Sequence, residues 1–307
     1  MEKHENIKIY LLMVLAALFW SGAFIAGKFA IPYIPTCTLT FLRFLFAAGI
    51  LSYALRYENK KNPENAFKFN AKKHMKIFLF TGIVGILGYH VLFFTSLKYT
   101  SAINSSIIGA TNPILTILIT AVFVGDKIPR MQLFGILLSF IGVVLTITGA
   151  DFSILASFSF NKGDFIMLAA ALCWAAYGVF SKSKGVGISP IALTYYSFLF
   201  CCIFIFPLVL LEKPWTIYYI PIEAVIAVIY MSICPSVIGY LVQQMSIKKI
   251  GATRTSIFVN LVPVFSIILA VLILKEELVP IKLVTALLII AGVCICQLTS
   301  EHSKRKQ

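Results

Sequence analysis

Long apolar runs alternate with short polar segments along the whole chain. Each run is about 20 residues long, which is the length that a helix needs to cross ~30 Å of hydrocarbon, whereas a barrel strand needs only about 10. The pattern therefore predicts an all-α, polytopic membrane protein with ten transmembrane helices. These predicted helices, numbered 1 to 10 in chain order, cover residues 8–28, 36–55, 76–95, 101–124, 131–149, 164–181, 190–211, 223–244, 255–274 and 281–299.

The composition agrees with a lipid environment. The chain is 60% hydrophobic and 12% charged, whereas soluble domains are about 45–50% apolar and about 25% charged. A soluble core of 307 residues could not absorb so much apolar surface. The first run, from Ile9 to Ala26, exceeds the apolar region of a signal peptide, and we expect it to be a retained membrane anchor.

The distribution of Lys and Arg predicts the orientation in the membrane. If the N-terminus is cytoplasmic, nineteen of the 26 basic residues fall in cytoplasmic segments and five in outer loops. This positive-inside bias predicts a multi-pass protein of the cell membrane whose two tails, residues 1–7 and 300–307, are both cytoplasmic. The net charge of +14 is thereby explained by topology, with no nucleic acid as a partner.

The chain contains an internal repeat. SLKYTSAINSSIIGATNPIL (96–115) matches SIKKIGATRTSIFVNLVPVF (246–265), which pairs Pro113 with Pro263. ALFWSGAFIAGK (17–28) matches ALCWAAYGVFSK (171–182), which pairs Trp20 with Trp174. Each unit holds five predicted helices, an odd number, so the second unit would enter the membrane in the opposite orientation. The sequence thus predicts two inverted repeats, residues 8–149 and 164–299, an arrangement typical of secondary transporters.

These repeated segments resemble the EamA domains of the drug/metabolite transporter superfamily. The resemblance rests on LKYTSAINSSIIGATNPILTILITAVFVGDKI followed by QLFGILLSFIGVVL, and on IKKIGATRTSIFVNLVPVFSIILAVLILKEEL followed by LVTALLIIAGVCI. It covers residues 11–149 and 164–298. The resemblance implies a ten-helix carrier with a central cavity between its halves, lined mainly by helices 4 and 9, with helices 5 and 10 at the periphery.

Polar residues inside apolar helices are the first candidates for the cavity. On predicted helix 4, positions at spacings of three and four residues share one face, and they are Ser101, Asn104, Ser105, Ile108, Thr111 and Asn112. Asn260 lies on the related helix 9. Pro113 and Pro263 each remove a backbone donor in mid-helix, and we interpret both as hinges. The alternative is that the small residues mainly allow close packing of helices.

Two ionisable residues lie inside predicted helices. Arg43 in TFLRFLF could bind an anionic or zwitterionic substrate through its planar guanidinium, or it could extend to the interface or bind backbone carbonyls. His90 in GYHVLFF could exchange a coupling proton, or it could be a buried structural histidine. Lys28 is expected to be an interfacial anchor. The remaining candidates for the cavity, which could alternatively serve packing or face the headgroups, are Trp20, Tyr89, Trp174, Tyr177 and Gln243.

Several motifs are absent from the sequence. No Asp or Glu lies in a predicted helix core, which disfavours organic cations as substrates. The seven cysteines do not form a tetrahedral metal corner, and there is no Walker A motif, so we expect no metal, no cofactor and no direct coupling to ATP. Only scattered serines and His90 would support an intramembrane enzyme, and no catalytic residue is proposed.

The sequence therefore predicts a secondary-active or facilitative transporter of small metabolites. An exporter of amino acids or related zwitterionic, neutral or anionic compounds is the first hypothesis, with alternating access of the two five-helix units. A coupling proton or an exchange substrate would be its further partner besides the lipid bilayer. The alternatives are a carrier of drugs or nucleotide-sugar-like solutes, or a non-transport enzyme or scaffold. Gly135 and Ser139 on helix 5 could support a homodimer, although a monomer would suffice.

Overall fold

The computed structural model describes residues 2–124, 128–151, 161–185, 187–250 and 258–305, and within these ranges the chain forms helices and no strand. Eight of the helices are long and apolar enough to cross a membrane, and two further apolar helices are shorter over the described residues. This confirms the prediction of an all-α, polytopic membrane protein. The repeat boundaries and the inverted orientation stay predictions, and the predicted start of helix 9 at 255–257 lies outside the described residues.

The helices follow one another with short connections. In chain order they are α1 (Glu2–Ala30), α2 (Thr36–Lys61), α3 (Ala71–Leu97), α4 (Ala102–Phe123), α5 (Arg130–Thr148), α6 (Lys162–Lys184), α7 (Pro190–Leu211), α8 (Ile222–Gln243), α9 (Leu261–Leu274) and α10 (Pro280–Arg305). Large apolar side chains such as Phe123, Phe140 and Leu287 point away from the protein interior. Such an apolar exterior is what contact with lipid requires.

Several helices depart from regular α geometry. A π-helical turn covers Phe80–Gly88 in α3, Ser232–Gly239 in α8 and Ala270–Leu274 at the end of α9. The turn in α8 contains Pro235, which has no backbone N–H to donate. Wide turns of this kind inside α-helices are frequent at functional sites. In α3 and α8, residues next to the π-helical turn line the cavity that is described below.

Both predicted hinge prolines lie beside a break in a helix. The helical segment Ala102–Gly109 of α4 ends before a turn, and the next segment begins at Asn112, directly before Pro113. In α9 a turn residue, Asn260, precedes the helical segment that contains Pro263. Because proline cannot donate the hydrogen bond that would continue the helix, the breaks have a local cause. A role of these positions in motion stays a prediction.

Helix α2 is held to α7 at both of its ends. The Glu212 carboxylate, at the end of α7, accepts the backbone N–H groups of Cys37 (2.9 Å) and Thr38 (2.7 Å) in the first turn of α2. At the opposite end, Glu58 of α2 accepts a hydrogen bond of 2.8 Å from the hydroxyl of Ser189, the residue that caps α7. Glu212 thereby satisfies N–H groups that the helix start leaves unpaired, and each carboxylate places a negative charge where it favours the dipole of the helix that begins there.

Helix α5 packs closely against α10. A Cβ atom on Gly135 would lie 2.6 Å from the carbonyl oxygen of Gly292, so the two backbones approach where neither residue has a side chain. The Ser139 hydroxyl donates a 2.9 Å hydrogen bond to the carbonyl of Ile289. The pair Gly135 and Ser139, interpreted above as a surface for a homodimer, is therefore already used inside the chain.

Candidate functional site

A cavity of about 840 Å³, including the space at its mouth, lies between α1, α2, α3, α4, α6, α8 and α9. Aromatic and aliphatic side chains form most of its wall and a few polar side chains interrupt them, which is the usual character of a small-molecule site. The sequence-based candidates on this wall are Trp20, Arg43, Tyr89, His90, Asn112, Trp174, Gln243 and the hinge candidate Pro263.

Arg43 is the charged residue of the cavity wall. It projects from α2, it is 3% exposed, and its Nε donates a 2.9 Å hydrogen bond to the hydroxyl of Ser236 on α8. Its guanidinium carbon lies 5.2 Å and 5.9 Å from the ring centroids of Phe44 and Phe94. No carboxylate lines the cavity, and the terminal guanidinium nitrogens have no acceptor among the described residues. A buried cation without a counter-ion is costly in a membrane.

The π-helical turn of α8 orients two of the cavity side chains. The Ser236 hydroxyl donates to the carbonyl of Met231 at 2.8 Å, which leaves its lone pairs for Arg43. One residue earlier, the carbonyl of Pro235 accepts a 3.2 Å hydrogen bond from Nε1 of Trp20 on α1. Trp20 comes so close because residue 239 is glycine, where a Cβ atom would lie 2.7 Å from the indole Nε1.

Tyr89 and His90 follow the π-helical turn of α3, and although they are adjacent, both line the cavity. His90 is 2% exposed, and its Nδ1 lies 2.8 Å from the carbonyl oxygen of Ile86. Because a carbonyl can only accept, this geometry assigns the hydrogen to Nδ1 and leaves Nε2 as the acceptor of the neutral ring. The rings of His90 and Phe44 also meet in a T-shaped contact, at 4.5 Å between centroids.

An aromatic group from α6 and α8 completes the wall. Trp174 stacks on Tyr177 at 5.0 Å between ring centroids and meets Tyr240 edge-on at 5.6 Å. Trp174 and Tyr240 line the cavity, whereas Tyr177 lies behind Trp174 and packs against α3, where a Cβ atom on Gly85 would overlap its ring. Tyr177 therefore supports the wall without forming it.

Three polar candidates lie away from the wall. The Asn104 amide donates to the Asp164 carboxylate at 3.4 Å, and Ser105 is fully buried with its hydroxyl 3.4 Å from that of Ser96. The Asn260 side chain is 6% exposed and its Nδ2 lies 3.7 Å from the Cys294 sulfur on α10. Of the two hinge candidates, Pro113 also lies off the wall. Ser106, the residue after Ser105, lines the wall instead of Ser105.

A group of polar contacts ties several helices together at the link between α3 and α4. We call Lys28, Thr100, Asn104, Asp164 and Glu276 the Thr100 cluster. The Lys28 ammonium donates to the carbonyl of Thr100 at 2.6 Å, and the Thr100 hydroxyl donates to Asp164 at 2.5 Å. The Glu276 carboxylate, just beyond α9, accepts the N–H groups of the first two residues of α4, at 2.8 and 3.1 Å. Lys28 is therefore bonded within the protein, beyond the interfacial role expected from the sequence.

The wall also contains residues that the sequence did not single out as a site. Gly109, Ala110, Ala171, Val259 and Val262 line it, as do Ala23, Phe24 and Phe93. Small and aliphatic residues carry no signal that separates a cavity wall from a helix interface. Among the described residues, no group of three or more His, Cys, Asp or Glu side chains is placed to hold a metal ion.

Comparisons with known proteins agree with this architecture. The model of the EamA-like transporter family matches residues 7–148 and again residues 161–297. A Bacillus subtilis protein named uncharacterized transporter YyaM is 31% identical, over 94% of this chain and 93% of its own length. A probable terminal-alkyne amino-acid exporter of Streptantibioticus cattleyicolor is 22% identical, over 92% of this chain and 91% of its own length. A solved crystal structure that is 19% identical matches with a TM-score of 0.62, over 95% of this chain and 98% of that chain, and so shares the fold.

Proposed function

Because the chain belongs to the EamA-like transporter family, we propose that it exports amino acids, or related zwitterionic or anionic metabolites, through the cavity around Arg43. Transport of a small molecule across a membrane follows from the family. The substrate class, the direction and the mechanism are the proposal. The proposed mechanism is alternating access, in either a secondary-active or a facilitative carrier.

One observation carries the substrate class, namely the buried guanidinium of Arg43 without a carboxylate partner on the cavity wall. Ser236 occupies Nε and leaves the two terminal nitrogens for a ligand. A planar guanidinium binds a carboxylate through two parallel hydrogen bonds. A substrate carboxylate would thus supply the counter-charge that the described part of the cavity wall lacks.

The rest of the wall suits the remaining parts of an amino acid. Aromatic faces attract a cation such as an α-ammonium group, and Trp20, Trp174 and Tyr240 supply such rings. Asn112 donates its amide N–H to the carbonyl of Ala171, which leaves its side-chain oxygen as an acceptor. The apolar wall would take the substrate's side chain. The name of the Streptantibioticus relative, an amino-acid exporter, agrees with this substrate class.

The Thr100 cluster supports alternating access. With a cytoplasmic N-terminus, as the distribution of basic residues predicts, this cluster lies at the outer end of α4. The Glu276 carboxylate would then hold the outer end of α4, and the Lys28 ammonium the α3–α4 link, in a position that closes the cavity to the outside. Release of substrate to the outside would require these contacts to break, and the helix breaks beside Pro113 and Pro263 provide places to bend.

A transport assay with matched variants tests the substrate class. Liposomes containing the purified protein are loaded with a mixture of amino acids and of their decarboxylated amines, and efflux is followed by mass spectrometry. We expect selective efflux of amino acids over the amines. Arg43→Gln should lower it about 10-fold or more, since a hydrogen bond to a charged group contributes about 1.5–3 kcal/mol. Arg43→Lys should restore only part, because it cannot bind a carboxylate through a planar fork.

Arg56→Gln is the control, because it removes one positive charge from an exposed position of the same helix. It should leave efflux unchanged. Equal efflux of amino acids and amines, or full activity of Arg43→Gln, would contradict the proposal. To test the coupling proton, the same assay is run with proton gradients of both signs. If His90 carries the proton, His90→Gln should abolish the response to the gradient.

A further inference from the structure

A second pocket lies at the end of the molecule where α3 begins, between the first turns of α3 and the connection from α6 to α7. Its volume is about 890 Å³, including the space at its mouth. Three lysines line it, Lys73 and Lys76 from α3 and Lys184 from the end of α6. No carboxylate is among its lining residues, and the three ammonium groups have no carboxylate partner in the described parts of the chain. The pocket is thus strongly cationic.

The fourth polar residue of this pocket, His74, has a fixed hydrogen-bonding state. It is 8% exposed, and its Nδ1 accepts a 3.1 Å hydrogen bond from the backbone N–H of Asn70, which caps α3. Because Nδ1 accepts, the neutral ring carries its hydrogen on Nε2. The ring is held in place by Phe67, at 5.0 Å between centroids. The His74 side chain is therefore a nearly buried part of the pocket lining with a fixed ring orientation, and none of the described residues accepts a hydrogen bond from its Nε2–H.

The remaining lining side chains make one wall of the pocket apolar. These are Ile77, Phe180 and Ile188, and the ring of Phe180 stacks on that of Phe80 at 4.1 Å. The apolar wall continues into a cluster of buried side chains between α3 and α7. A soluble anion would use only the lysines and the histidine. A lipid would use both surfaces, because it carries its phosphate and its acyl chains on one molecule.

We propose that this pocket binds the phosphate of an anionic glycerophospholipid, with its acyl chains along the apolar wall. Lys73, Lys76 and Lys184 supply the positive charge, and His74 donates a directed hydrogen bond from Nε2. The pocket lies on the face that the basic residues predict to be cytoplasmic, where anionic headgroups attract cations. This site is separate from the cavity around Arg43, and its occupancy does not depend on the identity of the transported solute.

Native mass spectrometry of the purified full chain tests the proposal, with dioleoylphosphatidylglycerol as the anionic probe and dioleoylphosphatidylcholine as the zwitterionic one. We expect one phosphatidylglycerol to bind in preference to phosphatidylcholine. Each lysine near an anionic headgroup contributes about fivefold in affinity. The pocket variant should therefore lose on the order of 100-fold. It carries Lys73→Gln, Lys76→Gln and Lys184→Gln.

The control variant removes the same charge from exposed lysines that do not line the pocket, through Lys60→Gln, Lys61→Gln and Lys68→Gln. It should bind phosphatidylglycerol like the unaltered chain. Equal losses in both variants would overturn the proposal, because the attraction would then be diffuse. Displacement of the lipid by 10 mM inorganic phosphate, about a ten-thousandfold excess over a micromolar dissociation constant, would overturn it in favour of a soluble anion.

Two single variants keep the test informative if the triple variant does not fold. Lys184→Gln lies at the end of α6 and should lower the affinity about fivefold by itself. His74→Phe removes the Nε2 donor and keeps an aromatic ring beside Phe67, so it should weaken phosphatidylglycerol binding without a loss of folded protein. Unchanged binding in both single variants would overturn the site.

Discussion

The Nε of Arg43 and the hydroxyl of Ser236 form a 2.9 Å hydrogen bond between two residues that are both buried. The bond joins α2 to the π-helical turn of α8, so a side chain from the second half of the chain orients the charge contributed by the first half. Arginine has five N–H donors, and this bond uses the one that lies nearest the backbone. The two terminal nitrogens, which carry the other four N–H donors, can therefore face the cavity in a fixed orientation.

Ser236→Ala removes that orientation. We expect the half-saturation concentration of the transported amino acid to rise about tenfold, because a hydrogen bond to a charged group contributes about 1.5 kcal/mol. The maximal rate per folded molecule should change little. Ser232→Ala is the control, since that hydroxyl lies in the same turn and, among the described residues, bonds the Val228 carbonyl instead of Arg43. Counterflow in proteoliposomes measures both quantities, and a fall in maximal rate alone would argue against a positioning role.

Glu276→Ala removes the carboxylate that caps the first turn of α4. The loss of such a cap costs about 1 kcal/mol, which corresponds to about a fivefold shift in an equilibrium. We expect faster labelling of a cysteine at position 106, on the cavity wall, by an impermeant maleimide added from outside. The measurement uses a chain whose seven native cysteines are replaced. Glu277→Ala, at the exposed neighbouring position, should not change the rate, and a slower rate in Glu276→Ala would contradict a gating contact.

Gly239→Ala should displace the Trp20 side chain from its position against α8. The new Cβ atom would lie 2.7 Å from the indole Nε1, so the hydrogen bond to the Pro235 carbonyl must lengthen or break. Overpacking of this kind costs about 1–3 kcal/mol, and we expect a lower Tm together with weaker substrate binding. Gly178→Ala, where nothing lies within 4 Å of the added atom, should raise stability slightly, because alanine favours a helix more than glycine. Thermal unfolding with and without substrate separates the two effects.

Gly135→Leu tests whether the small residues of α5 serve α10 or a second copy of the chain. Since a Cβ atom there would lie 2.6 Å from a backbone carbonyl, we expect α5 and α10 to separate and the protein to lose about 3 kcal/mol or more of stability. Gly49→Leu, at an open and exposed position of α2, is the matched control. Thermal unfolding and light scattering are both measured. A change in oligomeric state with unchanged stability would favour the dimer interface instead.

Pro113→Ala restores a backbone donor beside the break in α4. If this break is a hinge, substrate binding should persist while the transport rate falls several-fold, since an uninterrupted helix would resist bending by up to about 3 kcal/mol. Pro207→Ala, inside α7 and exposed, should leave the rate unchanged. Equilibrium binding and efflux are compared on the same preparations. A fall in binding with an unchanged rate per bound substrate would speak against a hinge.

The large and charged candidates could be located from the sequence because such side chains are costly in a membrane helix unless they face a cavity or a partner. Arg43, His90 and Trp20 all reach the wall for that reason. The long apolar runs also predicted every helix that borders the cavity, since the length and apolarity of a span are properties of the local sequence.

The polar face of α4 shows where sequence reasoning stops. Asn104 and Ser105 have the spacing of a cavity face, yet they bond to Asp164 and Ser96. Residues three and four apart share a face, but the spacing does not tell whether that face meets water or a neighbouring helix. Asp164 is 60 positions away from Asn104 in the sequence, and the residues around either position do not indicate that the two side chains meet. Ser236 likewise has a role only because a π-helical turn directs it at Arg43.

The hydrogen bonds that join α2 and α7 at both ends determine which helices can move together as a rigid body. Glu212 fastens one end of this helix pair and Glu58 the other, while α5 and α10 meet backbone to backbone at Gly135 and Gly292. Each of these pairs takes one helix from the first half of the chain and one from the second. The family model matches each half of the chain once, yet both pairs join helices of different halves. If alternating access operates as proposed, each rigid body would contain helices from both halves, and the boundary between the moving bodies would differ from the boundary between the two matched regions.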